Sequence, residues 1–308
     1  MKIGISASCA TGSLGLDAGL AAIKAAGFEV LDQGIGFLSW GDVTRTTTEI
    51  APFYSDDNAV AAFVAEITAG VKKHGLEIGQ FHAPFPSYNP GNELTMKMML
   101  PVTKRSIEIT AACGCDKIVV HPCLEWDLGR NALTPKEEWD LNIKFYSELI
   151  PTLRKNRVMC CLENMIVFDP NKKPFGAICT QASQANRYME ALNDIAGERL
   201  FGICLDTGHL LLAGVDIENT IMELGENLVA LHIHDNDGRE DQHNAPYVGG
   251  IMQWDRFIRG LKNNGYKGNL SFETGGATGR YPKSLLIPAL NMLGETAKYF
   301  RDEIMRKD

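Results

Sequence analysis

Eight short apolar or β-branched runs alternate with longer stretches whose apolar residues fall three and four apart. The short runs lie near 2–8, 28–34, 76–84, 117–122, 157–164, 200–209, 228–237 and 268–274. Helical patterns cover 16–27, 57–75, 92–114 and 134–156, and several close on Gly or Asn, as helix stops do. In "LTPKEEW", Thr134 as N-cap, Pro135 at the first helical position and Glu137 three residues on predict a capping-box start. Parallel strands need a crossover between them, and a helix is the usual one. Strand–helix alternation without a break in composition therefore predicts an α/β chain, a single (β/α)8 barrel over residues 1–308. A doubly wound open sheet is the alternative. Against it, "SCATGSLG" after the first strand lacks the G-x-G-x-x-G order of a dinucleotide site.

The totals are those of an ordinary soluble protein, with 45% apolar and 22% charged residues. A net charge of −8 gives no electrostatic reason to expect nucleic acid or an anionic membrane as partner. No run reaches the roughly 18 apolar residues of a spanning helix, and "MKIGISASCA" is too short in apolar content for a signal peptide. The eight cysteines sit mostly within or beside apolar runs and lack paired zinc-site spacing. They read as small buried residues of a cytosolic protein with reduced thiols. Apolar helix faces such as "AVAAFVAEITAGV" leave a homo-oligomer open.

Chemistry gathers at the strand ends. His82 closes the third run, His121 the fourth, Glu163 the fifth, Asp206 and His209 the sixth, His232 and His234 the seventh, and Glu273 the eighth. "LHIHDNDGREDQH" (231–243) alone holds three of the seven histidines, among four acidic residues. A lone strand-end histidine is usually structural, but charged groups on six consecutive apolar strands are costly unless paired or metal-bound. The C-terminal strand ends of a barrel are also where its active sites lie. A Glu163–Asp206–His232–Glu273 set would converge on one divalent ion; three carboxylates and one imidazole suit Mn2+, Mg2+ or Co2+ somewhat better than Zn2+. Adding His82, His121, His209, Asp241 and His243 makes the mouth rich enough in nitrogen for one or two zinc ions. His234, one pleat from His232, reads as supporting a ligand or facing substrate, and the Asp241–His243 pair as closing a lid.

The stretches "FHAP", "VVHP", "LEN", "LDTGH…AG", "LHIHDNDG…DQH" and "FET" resemble the xylose-isomerase-like TIM barrels, a superfamily that includes keto-sugar 3-epimerases, inosose dehydratase and isomerase, and endonuclease IV. The resemblance runs from the third strand to the eighth; it is specific for the superfamily and not for the substrate. Likeness to the epimerases implies Glu163, Asp206, His232 and Glu273 as metal ligands, with His209 and an arginine after strand seven on the substrate. Arg239 is the only arginine in that loop, in a slightly different register. Likeness to endonuclease IV implies a three-zinc site, for which His82, His121, Glu163, Asp206, His209, His232, Asp241, His243 and Glu273 are the matching residues.

The expected function is a metal-dependent isomerase or epimerase of a sugar, sugar phosphate or polyol. Glu163 and Glu273 would serve as acid and base next to a carbonyl, and the ion would stabilise the enediolate. An abasic-site phosphodiesterase is the alternative, but the loop at 35–55 offers Arg45 against Asp42 and Glu49, and only "NKK" at 171–173 is locally basic. An inosose dehydratase-type lyase begins with the same proton abstraction, and a non-catalytic sugar-sensing barrel would leave the acid–base set idle. The glycine-rich "TGGATGR" (274–280), with Arg280 and Lys283, offers a cradle for a substrate phosphate. Phe37, Trp40, Phe85, Tyr88 and Trp126 are candidates for an apolar wall against a sugar ring, and Trp254 for opening and packing a helix.

Overall fold

The computed structural model describes residues 1–35, 52–87, 93–124 and 133–307. Eight strands form one parallel sheet: β1 (Ile3–Ser6), β2 (Val30–Gly34), β3 (Glu77–His82), β4 (Lys117–Val120), β5 (Met159–Glu163), β6 (Phe201–Asp206), β7 (Leu228–His232) and β8 (Leu270–Phe272). Neighbours in the sheet follow chain order, and β8 pairs with β1. Between β7 and β8, Ile233 bridges to Phe272; Ile233 N–H donates to Ser271 O at 2.8 Å and Glu273 N–H to Ile233 O at 3.1 Å. That bridge closes the predicted (β/α)8 barrel, with helices in the connections.

Strand alternation sets what the barrel interior holds. Val119, Cys161, Cys204 and Ala230, from four successive strands, form a small buried apolar cluster. Two residues on along each strand, on the same face, stand His121, Glu163, Asp206 and His232. Small side chains therefore fill the barrel directly beneath a polar mouth. Two slips of register tune the alignment. β2 and β3 shift between Leu31 and Asp32, so that Asp32 pairs with Gln80. β6 and β7 shift between Ile203 and Cys204, so that Asp206 pairs with His232. Such bulges re-aim side chains, and neither was foreseen from the sequence.

The capping box forms: Glu137 N–H donates to Thr134 Oγ1, and Thr134 N–H to Glu137 Oε2 at 2.9 Å. The helical pattern at 134–156 divides into helices Pro135–Ser147 and Ile150–Asn156. Pro151 has no N–H to give and its ring meets the carbonyl four residues back, that of Ser147. The loop at 165–180 contains an antiparallel hairpin, Ile166–Phe168 with Pro174–Gly176. Trp254 opens helix Trp254–Asn264, and its buried ring packs against Phe257 and Phe300. All eight cysteines are free. No described helix is long and apolar enough to cross a membrane. Phe37, Trp40, Arg45, Tyr88 and Trp126 lie outside the described residues.

Candidate metal centre

Glu163 at the end of β5, Asp206 at the end of β6, His232 at the end of β7 and Glu273 just past β8 each present a ligand atom, all within 4.8 Å of one another. His232 Nδ1 lies 3.1 Å from Glu163 Oε1 and 3.4 Å from Glu273 Oε2. Glu163, Asp206 and His232 are buried; Glu273 is half-buried. Asn164, next to Glu163, fixes Asp206 from behind. Its Nδ2 donates to Asp206 O at 3.0 Å, and Asp206 N–H donates to its Oδ1 at 2.7 Å.

Two further groups flank this one. On the β3–β4 side, His82 and His121 hold their Nε2 atoms 3.1 Å apart, at 3.4 and 3.0 Å from Glu163 Oε2. On the β6–β7 side, His234, Asp241 and His243 bring ligand atoms within 4.8 Å of one another. His243 Nε2 is 3.1 Å from Asp241 Oδ2, and its ring stacks on His234 at 4.0 Å. His209 approaches the same carboxylate, Nε2 to Asp241 Oδ2 at 3.4 Å, while its Nδ1 is 2.8 Å from Asn164 O. His234 Nε2 sits 2.9 Å from Asp206 Oδ2, so it supports a central ligand as well as joining the flanking group.

The segment carrying Asp241 and His243 is pinned over the mouth. Asp235 and Asn244 exchange backbone hydrogen bonds, and the Asp235 carboxylate accepts from Met252 N–H at 3.0 Å and Trp254 Nε1–H at 2.9 Å. The glycine-rich turn after β8 is the dock for this segment. A Cβ on Gly276 would fall 1.9 Å from Gln242 O, and Ala277 N–H donates to His243 O at 3.1 Å. Arg280 donates to Asn244 Oδ1 at 2.9 Å. The turn offered by the sequence as a phosphate cradle thus packs against the chain's own loop through Gly276, Ala277 and Arg280. Arg239 is exposed, with its backbone N–H on Asp237 Oδ1.

Charge at the centre is balanced by proximity. Burial disfavours the Glu163 carboxylate, yet the His232 and His121 imidazoles outweigh it and hold its carboxyl well below the usual range. Burial likewise opposes charge on His209, His232 and His243. Asp206 and Asp241 overcome it at His209, and Glu273 and Glu163 contribute at His232, raising both well above normal. His243, bonded to Asp241, is pushed up to about 10. Beside Glu163, burial wins at His121 and lowers it, while the carboxylate wins against burial at His82 and raises it. Glu163 Oε2, both ring nitrogens of His232 and Asp241 Oδ1 are buried without an aligned hydrogen-bond partner. Lone pairs left unpaired at such depth cost roughly 1–3 kcal/mol each, which a bound cation would repay. The donor set fits a divalent ion.

A cavity of 490 Å³ opens beside the central group, lined among others by Ser6, Ser8, Asp32, Gln33, His82 and Glu273. Phe85 borders it, with its ring 4.5 Å from that of His121. Asp32 was missed in the sequence, although an acidic residue inside the apolar run "FEVLDQG" is the same signal that marked Glu163 and Asp206. Asn164 gave no such signal, because its work is done through backbone contacts with Asp206 and His209.

The family model that describes the xylose isomerase-like TIM barrel matches residues 20–302, and the chain belongs to that family. An uncharacterised protein of Methanocaldococcus jannaschii is 30% identical over 196 residues, 62% of this chain and 62% of that protein. One from Sinorhizobium fredii is 24% identical over 171 residues, 56% of this chain and 51% of its own length. The matched part thus spans between about half and two thirds of these relatives. Among solved structures, a D-tagatose 3-epimerase-like protein superposes with TM-score 0.71 at 21% identity, covering 99% of this chain and 98% of its own. An L-ribulose 3-epimerase gives 0.70 at 17% identity over 99% and 94%, and a putative xylose isomerase from Rhodospirillum rubrum 0.72 at 19% over 97% and 99%. At these identities the likeness is one of fold.

Proposed function

We propose that this chain is a divalent-metal-dependent isomerase or epimerase of a sugar or polyol. The observation that carries it is the convergence of Glu163 and Glu273 on His232 Nδ1, with Glu273 opening onto the 490 Å³ cavity. An ion held by Glu163, Asp206, His232 and Glu273 would supply Lewis-acid stabilisation of negative charge developing next to a carbonyl. Glu273, half-buried at the cavity wall, would take a proton from substrate carbon, and Glu163, on the deeper side, would return one passed to it from the imidazoles 3.0–3.4 Å away. Ser6, Ser8 and Gln33 give the cavity hydroxyl and amide partners for a polyhydroxylated substrate. The Asp241–His243 segment, pinned by Asp235 and Gly276, limits water at the mouth.

The direct test is exchange of solvent deuterium into ketoses incubated with Mn2+-, Mg2+-, Co2+- or Zn2+-loaded protein. Absence of exchange with every ketose and inosose tried would refute the reading; exchange followed by loss of water would make the protein a dehydratase. Glu163→Gln and Glu273→Gln are each expected to abolish exchange while some metal stays bound, and wild-type rates in either variant would sink the assignment. A second reading, a zinc phosphodiesterase, is favoured by the two flanking groups, since multi-metal clusters suit phosphoryl chemistry. About three tightly bound zinc ions per chain together with cleavage at abasic DNA would select it.

A further inference from the structure

Asp32 is buried, yet it belongs to none of the three ligand groups. It reaches its place through the register slip that sets it opposite Gln80. Gln80, also buried, donates Nε2–H to Asp32 Oδ2 at 2.8 Å and to Leu231 O, the carbonyl next to His232, at 3.4 Å. The same Asp32 oxygen lies 2.9 Å from His232 Nε2, an ion-pair distance at which the ring N–H is not aligned as a hydrogen bond. The other ring nitrogen, Nδ1, faces Glu163 and Glu273. A neutral imidazole has one N–H and one lone pair, and the partner of one nitrogen decides what the other presents. A carboxylate against Nε2 repels a lone pair there and attracts a proton.

We propose that Asp32, steadied by Gln80, is a positioning residue that keeps a proton on His232 Nε2 and so turns the Nδ1 lone pair towards the central ion. This rests on the metal reading of the site, and it adds a carboxylate behind the histidine that neither the ligand pattern nor the cavity lining distinguishes. A one-residue bulge that pairs two buried polar side chains at this depth is the kind of local irregularity strands use to re-aim a group near an active site. Partners of this kind hold ring orientation and tautomer, and their loss typically weakens metal affinity by about 10–100-fold.

Zn2+ affinity, by competition with a chromophoric chelator, and the 15N spectrum of histidine-labelled, zinc-loaded protein test the proposal together. Wild type is expected to show His232 with Nε2 protonated and Nδ1 shifted by the metal. Asp32→Asn, which keeps the shape, is expected to lose about 10–100-fold in Zn2+ affinity and to lose the single His232 tautomer, with Gln80→Leu less affected. Zinc on Nε2 in wild type overturns the proposal whether or not any variant folds. So does Asp32→Asn with wild-type affinity and an unchanged His232 spectrum; if that variant nonetheless loses turnover, Asp32 contacts substrate instead. A wild-type chain that takes up no divalent ion sinks both this proposal and the function above.

Discussion

On the proposed reading, protons and a metal ion would compete for the same nitrogens at this centre. His209 and His232 are held well above the normal imidazole range by the carboxylates around them, and His243 is pushed up to about 10. Their raised values stabilise the ion-free fold at low pH, and that contribution fades as pH rises through the folded values. Metal binding has the opposite dependence, because the ion must displace those protons. Zn2+ affinity is therefore expected to climb steadily from pH 6 to pH 9, with protons released on binding; a flat profile in competition titrations, with no proton release by calorimetry, would contradict this. Crowding sharpens the geometry at one further residue. A Cβ on Gly208 would fall 2.0 Å from His234 Cε1, so that ring needs a glycine beneath it to reach Asp206.

Between elements, two contacts decide how the mouth and its surroundings hold. The first is the turn after β8 against the 236–253 segment. Gly276→Ala must push Gln242 and His243 outward, at a cost of about 1–3 kcal/mol for an overpacked contact. The expected result is a lower melting temperature, with the central group still able to take up its ion. Unchanged melting would show that the loop does not depend on this close approach. The second joins helices Ile217–Leu224 and Trp254–Asn264. Glu218 accepts from Arg259 Nε at 2.7 Å and Nη2 at 2.6 Å, and from Arg256 Nε at 3.2 Å. The Arg259 hydrogen bonds lead in pushing its carboxyl down to about 2. A depressed carboxyl stabilises the fold above its unfolded value of about 4.3, and the contribution is lost as pH falls from there towards the folded value. Glu218→Gln should bring the urea midpoint at pH 7 closer to that at pH 3; identical acid sensitivity in wild type and variant would remove Glu218 as a cause.

At the scale of the molecule, the barrel hides its thiols. Seven of the eight cysteines are buried and Cys113 is half-buried; burial pushes the Cys9, Cys113 and Cys115 thiols up to about 11. A thiol reagent at neutral pH is expected to modify at most Cys113 slowly in the native protein, and all eight after denaturation. Rapid native reaction at three or more sites would mean that the barrel interior is open.

Periodicity and strand-end chemistry made the barrel legible in the chain, along with the helix start at Thr134 and the residues that gather at its mouth. Period-two strands and three-to-four-residue helix spacing record which face is buried, whatever the fold around them. A carboxylate inside an apolar run, as at Glu163 and Asp206, likewise announces a buried site before its partners are known. Where those residues point was decided only by the tertiary structure. The slips at Asp32 and Cys204 and the docking of Gly276 under Gln242 arise between strands and loops far apart in sequence, and no local pattern encodes them. Asp32 shows the difference best: its chemistry stood in the sequence, but only closure of β2, β3 and β7 around one interior placed it against His232.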